Sequence, residues 1–168
     1  MTFLLSLFLF SQPVYAMKPA PFQPVTHTDA NTQLVLTSNP ESQLTELHTA
    51  KGERLWSMKE YVGRRMIFLS PDGNTLILFG NLYFGGILLD SESAVVLSVY
   101  EKGKPSKELN FSQVFGMTVA EAKIKFDVPV MSGGWLAFLK YVDFEGIDWK
   151  TRSFSMKFQD NQSRALSF

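Results

Sequence analysis

The chain has 168 residues, of which 45% are apolar and 14% aromatic, and it contains no cysteine. A chain of this length forms one domain and buries roughly 70% of its unfolded surface, which excludes intrinsic disorder and allows a core without disulfide bonds. The formal net charge is zero, from 16 basic and 16 acidic residues. Because a general nucleic-acid-binding surface carries a basic excess, this composition argues against nucleic acid as a partner.

The N-terminal residues have the pattern of a secretory signal peptide. Residues 3–10 form an apolar run that is too short to span a bilayer as a helix, and small residues at Val14 and Ala16 follow a polar break. We expect residues 1–16 to be cleaved after Ala16, so that no membrane span remains. Retention as an anchor is the alternative, because no Lys or Arg precedes the run. Export of a cysteine-free chain predicts a periplasmic or secreted protein.

The next residues predict a linker followed by short strands. Residues 17–32 contain Pro19, Pro21 and Pro24 and are interpreted as an extended linker. Strands are expected at 34–36, 43–49 and 54–59, with polar turns between them. A single β domain then covers residues 33–159, and the polar residues 160–168 are expected to be a frayed tail.

A hairpin over residues 64–84 is the element around which the core is predicted. Two apolar runs, 66–69 and 76–79, flank a turn that contains Pro71 and Gly73. Proline presets the backbone for the first central position of such a turn, and glycine accepts a positive φ. Since both runs are apolar at every position, the hairpin is expected to be buried on both faces.

Further strands are expected at 87–89, 94–100 and 107–111, and the segment that follows them is ambiguous. Thr118 and Glu121 match a capping box for a helix. Residues 120–128, however, alternate between apolar and polar types, which favours a half-exposed strand. We predict a strand from Lys123 onwards, with at most one short helix near 112–122. Pro129 confines such a strand to an edge or an end.

The C-terminal part predicts three more strands. A buried strand is expected at 135–142, a turn at 143–146, an alternating strand around Ile147 and Trp149, and a last strand at 154–158. The fold class is therefore all-β: an antiparallel meander of about ten strands. It can form an open stack resembling propeller blades, or a barrel or sandwich.

Two segments resemble the repeats of β-propellers. Residues 47–56 (LHTAKGERLW) are similar to a segment of quinoprotein-type blades, in which a polar turn is followed by glycine, a charged residue, an apolar residue and tryptophan. Residues 68–76 (FLSPDGNTL) are similar to the hairpin of WD-type blades. The resemblance covers about a third of the chain and implies a blade-like fold. A closed propeller needs at least about four blades, more strands than this chain supplies. No residue matches the quinone or metal sites of that family.

The sequence does not predict a catalytic or metal centre. His27 and His48 are the two histidines, too few for a zinc site in a chain without cysteine. No serine lies in a nucleophile elbow, and no phosphate-binding glycine loop occurs. Asp143, Glu145 and Asp148 form a small acidic cluster whose spacing matches no calcium loop, so we interpret it as a solvated turn. No metal and no cofactor is predicted.

Aromatic residues beside glycines are the candidate binding residues. Tyr83 and Phe84 precede Gly85 and Gly86, and Trp135 follows Gly133 and Gly134. Glycines next to aromatics open a surface on which a ligand or another chain can stack. The alternative is that these aromatics are core residues beside turns.

The function predicted from the sequence is that of an exported, non-enzymatic β-domain that binds a protein or envelope partner. Two alternatives stay open. The surplus of phenylalanine suits a barrel that holds a small apolar ligand. A hydrolase with an unassigned carboxylate or serine site is the other, and the oligomeric state is not predicted.

Overall fold

The computed structural model describes residues 22–63, 65–80, 93–126 and 141–168, and the backbone of residues 87–88, 130–131 and 135–136. These residues are mostly β-structure with two short helices, which confirms the predicted all-β class. In chain order the elements are β1 (Val25–Thr28), β2 (Val35–Asn39), β3 (Leu44–His48), β4 (Arg54–Met58), β5 (Met66–Leu69), β6 (Thr75–Phe79), β7 (Ile87–Leu88), β8 (Val95–Glu101), β9 (Lys104–Asn110), α1 (Phe111–Phe115), α2 (Val119–Lys125), β10 (Val130–Met131), β11 (Trp135–Leu136), β12 (Val142–Asp148), β13 (Ser153–Phe158) and β14 (Ser163–Ser167).

The strands form antiparallel sheets that follow one another along the chain. The N-terminal sheet has the order β1-β2-β3-β4, the central sheet β5-β6-β8-β9 and the C-terminal sheet β12-β13-β14. A small sheet has the order β10-β11-β7, and its strand β7 lies in the sequence between β6 and β8 of the central sheet. Each of these described sheets is open, with two edge strands, so the residues that the structure describes do not form a closed barrel.

The central sheet is covered on both faces, as predicted for its hairpin. All five residues of β6 are buried, because side chains alternate between the two faces of a strand and both faces meet another sheet. Leu76 and Leu78 pack with buried residues of the N-terminal sheet. Ile77 and Phe79 pack with the helices and the C-terminal sheet. The molecule is therefore a stack of three sheets with the central one inside.

The turn between β5 and β6 also joins the central sheet to the N-terminal sheet. The Ser70 hydroxyl donates to the Asp72 carboxylate at 2.6 Å and accepts from the Thr75 amide at 2.8 Å. Gly73 has φ +70°, which glycine adopts without steric cost. Its carbonyl accepts a hydrogen bond of 2.7 Å from the Trp56 indole of β4. The turn chemistry read from the sequence is thus part of an inter-sheet contact.

The strand predicted from Lys123 is wrong over residues 123–125, because these residues belong to helix α2, whereas residues 127–129 lie outside the described part of the chain. The Thr118 hydroxyl accepts from the Glu121 amide at 3.1 Å, and the Glu121 carboxylate accepts from the Thr118 amide at 2.7 Å, which completes the capping box. A second capping box, from Asn110 to Gln113, begins α1. The described part of the chain therefore contains two short helices, where at most one was expected. The helix buries Ala122 and leaves Ile124 84% exposed, whereas a strand would place both on one face.

Three boundaries of the predicted domain also differ from the structure. The expected linker contains β1, which pairs with β2 from Val25 opposite Ser38. The expected frayed tail contains β14, whose Leu166 lies opposite Phe154 and is only 9% exposed. The turn expected at 143–146 lies inside β12 as a bulge between Phe144 and Gly146. Pairing with a neighbouring strand, together with burial of Val142 in β12 and of Leu166 in β14, overrode the polar composition of these segments.

Other predictions fall partly outside the described residues. The proposed signal peptide, residues 1–16, and the first part of the linker are among these. Of the strand predicted at 135–142, the structure shows β11 at its start and the first residue of β12 at its end. No helix in the described part of the chain combines the length and the apolar character needed to cross a membrane.

Candidate functional site

The aromatic residues proposed from the sequence are only partly placed. Tyr83 and Phe84 lie outside the described residues. The backbone of Trp135 belongs to β11, where it lies opposite Met131 of β10 and Leu88 of β7. The binding role of these three residues stays a prediction.

A cavity of about 390 Å³ lies where the first strands of the three stacked sheets meet, and we call it the edge groove. Its polar residues are His27 of β1 and Asp29, which follows that strand. Its apolar wall comes from β5, from β12 and the turn after it, and from β13: Ile67, Phe68, Leu69, Phe144, Ile147, Trp149 and Phe154. Phe68, Phe144 and Phe154 contact one another, with ring centroids 5.4 to 6.5 Å apart.

Strand β5 presents unpaired backbone groups to this groove. The Ser70 amide donates to the Thr75 carbonyl at 2.9 Å, which makes this a hydrogen-bonded pair. Hydrogen-bonded and non-hydrogen-bonded pairs alternate along an antiparallel ladder. Phe68 therefore bonds to β6, while the N–H and C=O groups of Ile67 and Leu69 point away from it. No other described strand pairs with β5, so these groups form a free edge.

Strand β12 presents a second free edge, since β13 is its only partner among the described strands. The Gln159 amide donates to the Tyr141 carbonyl at 3.1 Å, and the same alternation directs the backbone groups of Phe144 away from β13. At the bulge, Gly146 has φ +149° and an added Cβ would meet nothing within 4 Å. The backbone next to the groove is thus open on this side as well.

Asp29 supplies a negative charge at the mouth of the groove. One of its carboxylate oxygens accepts from the Thr32 amide at 2.7 Å, the Thr32 hydroxyl at 2.8 Å and the Asn31 amide at 3.0 Å. These hydrogen bonds, that from the Thr32 amide most strongly, lower the pKa of Asp29 and keep it ionised. The other carboxylate oxygen is left to interact with a cation.

A partly buried polar cluster lies elsewhere, between the N-terminal and central sheets. The Tyr100 hydroxyl donates to the Glu60 carboxylate, which also pairs with Arg65 at 2.9 Å. Burial, followed by the hydrogen bond to Glu60 and its charge, raises the pKa of Tyr100 to about 12. Thr45 donates to the Glu60 carbonyl at 2.5 Å, so the cluster fixes the segment that connects the two sheets. Because Tyr100 and Arg65 both pair with the Glu60 carboxylate, we assign the cluster a structural role, although the buried Arg65 Nε has no acceptor among the described residues.

The acidic cluster read from the sequence is dispersed. Asp143 and Glu145 are exposed on β12, and the Asp148 carboxylate accepts from the Lys150 amide at 2.9 Å and the Thr151 amide at 3.2 Å. Across the residues that the structure describes, no three His, Cys, Asp or Glu side chains are grouped to hold a metal ion.

Comparison with known proteins gives no relative for this chain: no family model, no curated protein and no solved structure matches it. The resemblance to propeller repeats therefore stays a prediction.

Sequence reasoning missed the edge groove. His27 was placed in a linker and Phe144 in a turn, and both belong to strands. A signal was available in Phe144, Ile147 and Trp149, whose apolar side chains recur on both sides of Gly146. No local sequence pattern shows that β1, β5 and β12 meet at one cavity.

Proposed function

We propose that this chain is an exported, non-enzymatic β-domain that binds a protein partner of the cell envelope by pairing an extended segment of that partner with the edge of β5. The observation that carries the proposal is the free backbone edge of Ile67 and Leu69 within an apolar groove. In this mode of recognition main-chain hydrogen bonds supply affinity, and pockets for alternate side chains supply specificity.

The chemistry of the groove indicates what kind of segment it accepts. Aromatic and aliphatic side chains form its wall, which suits a strand with apolar residues at every second position. The ionised Asp29 at its mouth suits a lysine or arginine at one end of that strand. The expected partner segment is therefore extended, apolar on one face and basic at one end.

A labelled model peptide tests this proposal. The probe is a heptapeptide that alternates valine and threonine and ends in lysine, and its binding is followed by fluorescence anisotropy. In the variant Ile67→Pro, proline removes an outward N–H and leaves the bonds between β5 and β6 in place. We expect this variant to bind about two- to tenfold more weakly, since it loses the one main-chain hydrogen bond, of about 0.5–1.5 kcal/mol, that the Ile67 N–H would donate.

A matched control uses another edge strand. Ala165 of β14 is exposed, and it lies opposite Ser155 in the non-hydrogen-bonded register, so that its N–H also points outward. The variant Ala165→Pro therefore makes the same chemical change away from the groove, and peptide affinity should not change. Equal loss in both variants, or no loss in Ile67→Pro, would contradict the assignment of β5.

The charge at the mouth of the groove is tested separately. Asp29→Asn should weaken binding of the lysine-ended peptide several-fold and leave binding of a glutamine-ended peptide unchanged, because only the lysine-ended peptide pairs with the carboxylate. Asp143→Asn, an exposed change on the outer face of β12, serves as the control. If both peptides lose affinity equally in Asp29→Asn, the effect comes from the turn and not from charge pairing.

Export has a test of its own. When the full chain is produced in a bacterium, the mature protein recovered from the periplasm or medium should begin at Met17. A chain that begins at Met1 and stays with the membrane fraction would instead support the anchor alternative. The hydrolase alternative predicts turnover in a broad screen of ester and glycoside substrates, and the proposed binding function predicts none.

A further inference from the structure

A second cavity, of about 550 Å³, lies between the helices and the end of the C-terminal sheet, and we call it the helix cleft. Its apolar lining includes Phe115, Met117, Ile124 and Phe158. Its cationic groups are Lys125, at the end of α2, and Arg164 of β14. The helix cleft shares no lining residue with the edge groove.

Among the residues that the structure describes, no carboxylate pairs with Arg164 in this cleft. Its Nη2 donates to the Gln113 carbonyl at 3.1 Å, while its Nε is buried and has no acceptor. Among the described ion pairs none involves Arg164, whereas Lys125 pairs with Asp160 at 2.7 Å. Glu121, the carboxylate that lines the cleft, accepts hydrogen bonds from the Thr118 amide and hydroxyl. The guanidinium is therefore the cation of the cleft that is left to a ligand.

The backbone is shaped to admit this guanidinium. Gly116 ends α1 with φ +70°, and a Cβ at that position would collide with Nη1 of Arg164. A partly buried cation without an anionic partner is destabilising, and a bound anion would remove that cost. The position of Arg164 thus points to an anionic group.

Ile124 indicates what is attached to that anion. Its side chain is 84% exposed although it lies at the rim of the cleft, on a helix whose buried residues are Val119 and Ala122. Together with Met117 it belongs to the apolar lining of the same cleft as the guanidinium. A hydrocarbon chain laid along this wall would cover the exposed surface of Ile124.

We propose that the helix cleft binds an anionic amphiphile, with the headgroup paired to Arg164 and the alkyl chain against Met117, Ile124 and Phe158. A free alkyl carboxylate and an anionic phospholipid share this chemistry. The site is independent of the edge groove and of the partner proposed for it.

Calorimetric titration with dodecanoate, below the concentration at which it forms micelles, tests the headgroup. Dodecanoate should bind at least about tenfold more tightly than dodecyltrimethylammonium, which has the same chain and the opposite charge. Arg164→Gln should weaken the binding of dodecanoate about tenfold or more, because the charge-assisted pair between the guanidinium and the carboxylate is lost. Arg54→Gln, an exposed change on β4, should have no effect. Equal binding of the two amphiphiles would overturn the proposal.

The apolar wall is tested by a substitution that does not endanger folding. Ile124→Glu alters a side chain that is already in solvent, and it should weaken dodecanoate several-fold through lost contact and like charge. Leu55→Glu makes the same change at another exposed apolar residue, 45% accessible and in the N-terminal sheet, and should leave affinity unchanged. Unaltered affinity in Ile124→Glu would overturn the placement of the chain.

Vesicles distinguish the two sources of the headgroup. A phospholipid ligand would be supported if the protein sediments with phosphatidylglycerol vesicles but not with phosphatidylcholine vesicles. Arg164→Gln should then abolish that sedimentation. Binding of dodecanoate alone would support a free carboxylate. Binding of neither probe would overturn the proposal.

Discussion

Truncation of two neighbouring residues on β6 tests whether the central sheet is covered on both faces. Leu78 is 1% exposed and faces the N-terminal sheet, while Phe79 is fully buried and faces the C-terminal sheet. The Phe79 ring lies 4.9 Å from that of Phe144 and 6.0 Å from those of Phe115 and Phe154. Because adjacent side chains on a strand point to opposite faces, each variant reports on one interface.

Both variants should be strongly destabilised. Leu78→Ala should lower the free energy of unfolding by about 2–5 kcal/mol and Phe79→Ala by about 3–5 kcal/mol, since the neighbours cannot fully fill the cavity. For a chain of this size the second value corresponds to a fall in Tm of roughly 6–20 °C. Ile124→Ala, a truncation at an exposed position, should change the free energy by less than about 0.5 kcal/mol.

Urea unfolding followed by tryptophan fluorescence measures these differences, at an m-value that should stay constant across the variants. A loss below about 1 kcal/mol for either Leu78→Ala or Phe79→Ala would mean that one face of the central sheet is not covered, and the stack of three sheets would be refuted.

Two further predictions concern the contact between the N-terminal and central sheets. Gly103 has φ +77° and an added Cβ would lie 2.7 Å from the Ser57 carbonyl oxygen, whereas Gly52, at φ +83°, would meet nothing within 4 Å. In urea unfolding, Gly52→Ala should therefore cost about 1–2 kcal/mol, from the backbone alone, and Gly103→Ala at least about 1 kcal/mol more; equal costs would contradict the contact. Because the pKa of Tyr100 is raised to about 12, its protonated hydroxyl contributes stability that is complete below about pH 10. That contribution is lost as the pH rises towards 12. Tyr100→Phe should remove that loss in alkaline unfolding curves, and unchanged curves would contradict it.

The central hairpin could be predicted because its residues decide its structure locally. Apolar residues at every position of 66–69 and 76–79 exclude a sheet with one face in water, and Pro71 and Gly73 fix the turn between them. The same reasoning identified the strands on either side to within a few residues.

The segment around α2 shows where local patterns compete. Residues 120–128 alternate as in a strand, while Thr118 and Glu121 match the capping box of a helix. The two hydrogen bonds between Thr118 and Glu121, with burial of Val119 and Ala122 on one side, favoured the helix. The helix left the large apolar side chain of Ile124 in solvent, and alternation alone could not show that.

The two proposed sites depend on contacts between residues far apart in sequence. The edge groove brings Asp29, Leu69 and Trp149 together, and the helix cleft brings Gly116 to Arg164. Which edges of separate sheets face one cavity depends on how the sheets stack, and this stacking is set by the sum of many apolar contacts. No short motif in the chain contains that information.

Amide exchange at β5 tests the central claim, that the protein acts by accepting an extended segment at this edge. In the free protein the amides of Ile67 and Leu69 should exchange much faster than that of Phe68, which bonds to β6. Adding the lysine-ended valine–threonine peptide should slow exchange at Ile67 and Leu69. Exchange that stays fast at both residues while the peptide is bound, or protection of the β14 edge instead, would contradict the account.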